Sequence, residues 1–215
     1  MRIGIFGGSF NPVHVGHLIA AECAREQANL DRVVFVPAAI PPHKQDRSLA
    51  AAERRIDMLH LAVDGHAAFT VSTIEIDRGG VSWTVETLAA LRDAHPGDDL
   101  VLLLGPDAVA DLPGWREPER IVALAELRGL ERETLDDLGR SAREPRIAAL
   151  LGADGVAALL ANRIRLPAIG IRASDLRAAV AAGRSIRYRT PRAVERYIAA
   201  HALYRGDIPD VSARV

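Results

Sequence analysis

The sequence predicts an α/β protein: a Rossmann-like open parallel sheet of about five strands with helices on both faces. Three observations predict it. Apolar runs bounded by turn residues recur, and those at 2–6 (RIGIF), 32–37 (RVVFVP) and 99–105 (DLVLLLG) are apolar nearly throughout. Strands read this way when both faces of a sheet are covered. Segments with helical spacing lie between the runs, and strand–helix alternation implies βαβ units with right-handed crossovers. The first run also leads directly into Gly7-Gly8, at the strand end where open parallel sheets bind ligands.

Taken in order, strands are expected at 2–6, 32–37, 69–76 (FTVSTIEI) and 99–105, with a weaker fifth at 163–171 (RIRLPAIGI). Helices are expected at 15–29, 50–63, 84–94, 106–112, 117–127, over a double stretch at 134–161, and at 174–182 and 191–201. Thr190-Pro191 reads as an N-cap followed by Pro in the first helical position. Ser174-Asp175 reads as an N-cap with an acid in the first turn, and Gly183 stands near the stop. One domain is expected over 1–205, and the aperiodic 206–215 is expected to be a loose tail.

Composition narrows the function. The chain has 215 residues, 49% of them hydrophobic, and a formal net charge of −1. That charge argues against a nucleic-acid or membrane-surface binder. No basic segment followed by an apolar stretch opens the chain, and no run is long enough to span a bilayer. The single cysteine, Cys23, excludes a disulfide framework. The expected compartment is the cytoplasm. Of 27 basic side chains only Lys44 is lysine. It is either a site that needs a compact ammonium rather than a planar fork, or a chance survivor.

The informative stretch is 7–17, GGSFNPVHVGH. Gly7 and Gly8 permit close approach of a ligand to the backbone. The spacing is not G-x-G-x-x-G, so the dinucleotide fingerprint is absent. A helix starting near Val15 offers N–H groups to an anion. His14 and His17, three residues apart, share one side of that turn and can donate to phosphate oxygens, with a charge that adjusts near neutral pH. No further cluster or paired Cys completes a metal site around them.

GGSFNPVHVGHL resembles the signature of the nucleotidyltransferase superfamily that carries an H-x-G-H pair. Four further stretches, in order along the chain, resemble the bacterial nicotinate-nucleotide adenylyltransferases: PPHK (41–44), DRGGVSWTVETL (77–88), GPDAVADLPGW (105–115), and IRASDLR (171–177) with YRTPRAVERYI (188–198). The resemblance implies adenylyl transfer from ATP to nicotinate mononucleotide, giving deamido-NAD and pyrophosphate, with Mg²⁺ carried by ATP and no metal held by protein side chains. It implies catalytic roles for His14, His17, Lys44 and Arg177. ATP would contact Gly7, Gly8, Ser9, Phe10, His14, His17, Gly105, Asp107, Ser174 and Arg177. The nicotinate nucleotide would meet Lys44, Trp83, Thr84, Trp115 and Arg132.

Read without the resemblance, several of these have plainer roles. Asp107 is a first-turn helix acid, Ser174 an N-cap, Arg177 a solvated cation and Thr84 the N-cap of the 84–94 helix. Two departures from the family pattern stand out. Arg172 and Ala173 replace small hydroxyl residues, and LRGLERET (127–134) replaces an apolar strand ending in Arg-Pro-Gly. The latter is charged and a poor central strand. Two alternatives remain: a related adenylyltransferase with another phosphate acceptor, such as pantetheine phosphate, and a nucleotide-binding regulatory module without turnover. The expected partners are small molecules; a homo-oligomer is compatible with the sequence.

Overall fold

The structure is a computed structural model that describes residues 1–42, 49–132 and 137–205. Lys44 and the 206–215 tail lie outside the described residues. The elements in order are β1 (Arg2–Gly8), α1 (Val15–Gln27), β2 (Arg32–Pro37), α2 (Ala52–Val63), β3 (Phe69–Val71), α3 (Ile74–Arg78) and α4 (Thr84–Ala94). Then follow β4 (Asp99–Leu104), α5 (Pro106–Asp111), a 3₁₀ turn (Leu112–Gly114), α6 (Pro118–Leu124), β5 (Glu126–Arg132) and α7 (Asp137–Ala142). Last come α8 (Pro145–Ala161), β6 (Ile164–Leu166), α9 (Ala173–Ala181) and α10 (Arg192–Ala200).

The six strands form one parallel sheet in the order β3-β2-β1-β4-β5-β6. The chain therefore leaves the middle of the sheet in two directions, and the carboxyl ends of β1 and β4 flank the crevice where the winding reverses. Side chains alternate across the sheet. Val33, Phe35, Val101 and Leu103 pack with Met58 and Leu59 on one face. Ile3, Ile5, Leu100, Leu102 and Leu104 pack with Leu88 on the other. Period-two alternation into two cores is why these strands look apolar throughout.

Three expectations are corrected. The run at 69–76 pairs only as far as Val71; Thr73 then precedes the short helix α3, with the Thr73 hydroxyl 2.6 Å from Asp77 Oδ2. A row of β-branched residues masked that change of period. The strand expected at 163–171 is shorter, Ile164–Leu166, and stops before Pro167. The described part of the charged 127–134 stretch does form a strand, β5 over Glu126–Arg132, giving six rather than about five. Its charges are compensated: Arg128 meets Glu126 at 2.6 Å, and Glu131 meets Arg163 at 2.8 Å. Gly129 lies at a close approach, since a Cβ there would sit 2.5 Å from Leu138 Cδ1 on α7. The described part of the double stretch at 134–161, from Asp137 on, comprises α7 and α8, the latter kinked at Gly152, φ 68°.

Candidate active site

The β1–α1 turn is held by its surroundings rather than by its own hydrogen bonds. Asn11 is 2% exposed. Its Oδ1 accepts the Ala50 N–H at 3.1 Å and the Tyr204 hydroxyl at 2.8 Å. Its carbonyl accepts from Arg177 Nη1 at 2.7 Å. The Thr190 hydroxyl donates to the Val13 carbonyl at 2.9 Å, and the Val15 N–H donates to the Arg189 carbonyl at 3.0 Å. The segment before α10 thus clasps the start of α1. It takes up the first helical N–H and leaves that of Gly16 without a partner among the described residues.

His14 caps α1, and its backbone N–H donates to Nδ1 of His17 at 3.2 Å. The two rings stack, with centroids 3.7 Å apart and planes 24° from parallel. Gly16 permits this, because a Cβ there would lie 3.1 Å from His14 Nδ1. Burial pushes His14 down to about 4 and His17 down to about 3, His17 also feeling the His14 charge. The expectation that these groups adjust their charge near neutral pH is therefore corrected: both are neutral imidazoles in the free protein. An accepting Nδ1 leaves the proton of neutral His17 on Nε2. Behind His17 lie Phe10, with centroids 5.1 Å apart, and Phe6, 6.2 Å apart. The Phe10 side chain is core, 2% exposed, so this residue offers a ligand only its backbone.

Beside the turn opens a cleft of about 590 Å³. Gly7, Gly8 and Ser9 from the end of β1 and Gly105 from the end of β4 form its floor, and Trp83, Thr84 and Trp115 line its wall. Trp83 caps α4, so Thr84 is the first helical residue rather than the cap. The Trp83 carbonyl accepts the N–H groups of Glu86 and Thr87, at 3.1 and 3.2 Å, while those of Thr84 and Val85 have no backbone acceptor among the described residues. The helix thus presents two unpaired donors at its start. The Trp115 indole N–H is buried without a partner among the described residues. Arg116 lies over the Trp83 ring, 5.5 Å from its centroid, and pairs with Glu86 at 3.0 Å.

Ser174 and Arg177 sit together in a shallow depression with Tyr204. Arg172, not Ser174, caps α9; Ser174 is exposed with its hydroxyl 3.3 Å from Asp175 Oδ1. Likewise Pro191, not Thr190, caps α10. Asp107 is an exposed first-turn residue of α5 and Arg132 is exposed at the end of β5; neither lines the cleft. Among the described residues no group of three or more His, Cys, Asp or Glu is placed to hold a metal. No helix there is long and apolar enough to cross a membrane.

Sequence reasoning missed Arg55, which is 1% exposed. A signal was present: Arg55, Met58, Leu59 and Val63 form the buried stripe of α2, and a cation at an apolar stripe position marks a buried polar role. It also missed Asn11 and Tyr204 as supports of the turn.

Sheet order, glycine turn and paired imidazoles at the switch point define a nucleotidyltransferase of the cytidylyltransferase-like family, whose family model matches residues 5–179. Within it, relatives named probable nicotinate-nucleotide adenylyltransferase are 43% identical in Thermomicrobium roseum, over 95% of this chain and 92% of that protein, and 44% identical in Thermus thermophilus, over 95% and 100%. The chain belongs to the nicotinate-nucleotide adenylyltransferase family. The fold agrees with that of the Plasmodium falciparum nicotinic acid mononucleotide adenylyltransferase solved with NaAD: TM-score 0.71 at 18% identity, over 94% of this chain and 97% of that one.

Proposed function

We propose that the chain transfers the adenylyl group of ATP to nicotinate mononucleotide, giving deamido-NAD and pyrophosphate, as a step of NAD biosynthesis. The observation that carries this reading is a cleft lined by Phe6, Gly7, Gly8 and Ser9 and by Trp83 and Trp115, with the stacked His14–His17 pair packed against Phe6, the His17 and Phe6 ring centroids 6.2 Å apart.

A phosphate oxygen of the mononucleotide attacks the α-phosphorus of ATP. The new P–O bond forms as the α–β bridging P–O bond breaks, and pyrophosphate leaves with the bond's electrons. The protein supplies no nucleophile, so catalysis is alignment and stabilisation of negative charge. His17 donates from Nε2 to the reacting phosphates, and its tautomer is set beforehand by the His14 N–H on Nδ1. His14 stacks on it and braces the ring. Arg177 and Ser174 take the distal phosphates from the α9 side, and Lys44 reaches the same phosphates. Gly105 and Asp107 attend the ribose. Mg²⁺ enters bound to ATP as part of the substrate. The catalytic unit spans 1–205.

The acceptor's pyridine ring stacks on Trp115. Its carboxylate takes the N–H groups of Thr84 and Val85 at the start of α4, where the helix dipole favours an anion. Arg132 does not line the cleft, whereas Arg116 and Arg146 do. The test is incubation with MgATP and nicotinate mononucleotide: deamido-NAD and pyrophosphate accumulate in equal amounts. Pyrophosphate formed only with pantetheine phosphate or another acceptor would refute the reading.

A further inference from the structure

The guanidinium of Arg55 is bonded almost wholly to backbone carbonyls. Nε donates to Ala50 O at 3.0 Å, Nη1 to Ser9 O at 3.1 Å and to Ala38 O at 2.7 Å, and Nη2 reaches Ala39 O at 3.4 Å. One side chain from α2 therefore ties three segments together: the β1–α1 turn, the exit of β2 and the segment that leads into α2. A buried cation is expensive unless its donors are satisfied. A purely packing role on this stripe would be filled at lower cost by an apolar residue such as its neighbour Met58, 0% exposed.

The bond to Ser9 has a directional consequence. In a trans peptide the C=O and the following N–H point in opposite directions. The Ser9 carbonyl is turned inward to Arg55, so the Phe10 N–H is turned the other way, out of the core. Phe10 has φ 43°, in the left-handed region that non-glycine residues rarely adopt, and a ring that is 2% exposed. Ring burial and the Arg55 bond together hold this conformation. The Phe10 N–H has no acceptor among the described residues.

We infer that Arg55 is a positioning residue for adenylyl transfer: by pinning the Ser9 carbonyl it aims the Phe10 N–H outward as a preset donor to an ATP phosphate. This rests on the reading of the β1–α1 turn as the phosphate site. Arg55 touches no substrate. Its bonds to the Ala38 and Ala39 carbonyls also hold the exit of β2, whose Ala39 N–H donates to Ser82 Oγ at 2.8 Å beside Trp83, so the turn takes the direct effect and the Trp83–Trp115 wall a smaller one through Ser82.

Arg55→Lys keeps the charge but cannot reach four carbonyls at once. Each protein is assayed well below its own Tm, so that only folded enzyme is compared. The expected result is a fall of roughly 10²-fold in kcat/KM for ATP, as for a modest misplacement of a catalytic donor. Affinity for nicotinate mononucleotide, read from the fluorescence of Trp83 and Trp115, the chain's 2 tryptophans, should fall far less than kcat/KM for ATP. A purely structural role would lower Tm and leave kcat/KM for ATP unchanged in the folded enzyme; that result overturns the inference. Should the variant not fold, the parent itself decides. Titration with MgATP should shift and protect the Phe10 amide in ¹H–¹⁵N spectra, and an unmoved Phe10 amide overturns the inference. A shifted Phe10 amide in a protein that adenylylates no acceptor supports the inference while refuting the proposed function.

Discussion

The backbone N–H of His14 donates to Nδ1 of His17 at 3.2 Å, and this bond sets which nitrogen of His17 faces outward. A neutral imidazole with a committed tautomer is a preorganised donor: it needs no proton from solvent and no rotation when ATP binds. His17→Ala should therefore fold normally and lose roughly 10²–10³-fold in kcat, the usual cost of one transition-state donor. Circular dichroism and steady-state kinetics check this. A variant with parental kcat removes His17 from the mechanism.

The histidines also fix an acid sensitivity. Folded values of about 4 for His14 and about 3 for His17 lie below the ordinary 6.5, so the unfolded chain binds more protons between these limits. The stability they confer is complete above about pH 6.5 and is lost as pH falls through the folded values. Thermal midpoints should fall on acidification across this window, and less so in His14→Gln. By NMR, neither imidazole of the free protein should titrate between about pH 5.5 and 8. A midpoint near 6.5 for either ring contradicts the assignment.

Tyr204 anchors the turn from the far end of the chain, through its hydroxyl on Asn11 Oδ1 at 2.8 Å. Tyr204→Phe leaves the ring in place and removes the donor. A stability loss of about 0.5–1.5 kcal/mol is expected, with a raised KM for ATP and an unchanged KM for the mononucleotide. Differential scanning calorimetry and kinetics on both substrates separate these effects.

Lys44→Arg tests the lone lysine in a chain whose other cations are all arginine. A planar fork does not replace a compact ammonium at a phosphate, so ATP affinity or turnover should fall clearly. Parental kinetics would assign Lys44 to drift.

Gly129→Ala tests the strand that the charged sequence concealed. The added methyl would lie 2.5 Å from Leu138 Cδ1, so destabilisation of about 1–3 kcal/mol is expected, with parental activity per folded molecule. Denaturant melts measure it.

What the sequence disclosed and what it hid follow from the same physics. β1, β2 and β4 were legible because burial on both faces leaves an unbroken apolar run, and the β1–α1 turn because few packing roles need Gly-Gly, Pro and His-x-x-His together. β5 was hidden because its charges are compensated by partners distant in sequence: Arg163 for Glu131, and Arg2 for Glu126 at 3.0 Å. Arg55 was hidden because its acceptors are carbonyls, which leave no mark in a sequence. The neutrality of His14 and His17 comes from tertiary burial and was equally invisible. Trp83 and Trp115, expected at the pyridine pocket from the resemblance and, for Trp115, from its turn context, both line the cleft, whereas Arg132 does not.

The most direct test of the central claim compares kcat/KM for nicotinate mononucleotide and nicotinamide mononucleotide at saturating MgATP. The start of α4 offers N–H donors to the acceptor, which suit a carboxylate and leave an amide's own donors unpaired. An unpaired amide costs about 1–3 kcal/mol, so the nicotinate form should be preferred by roughly 10–100-fold. Equal or reversed preference, or turnover of neither nucleotide, would contradict the account.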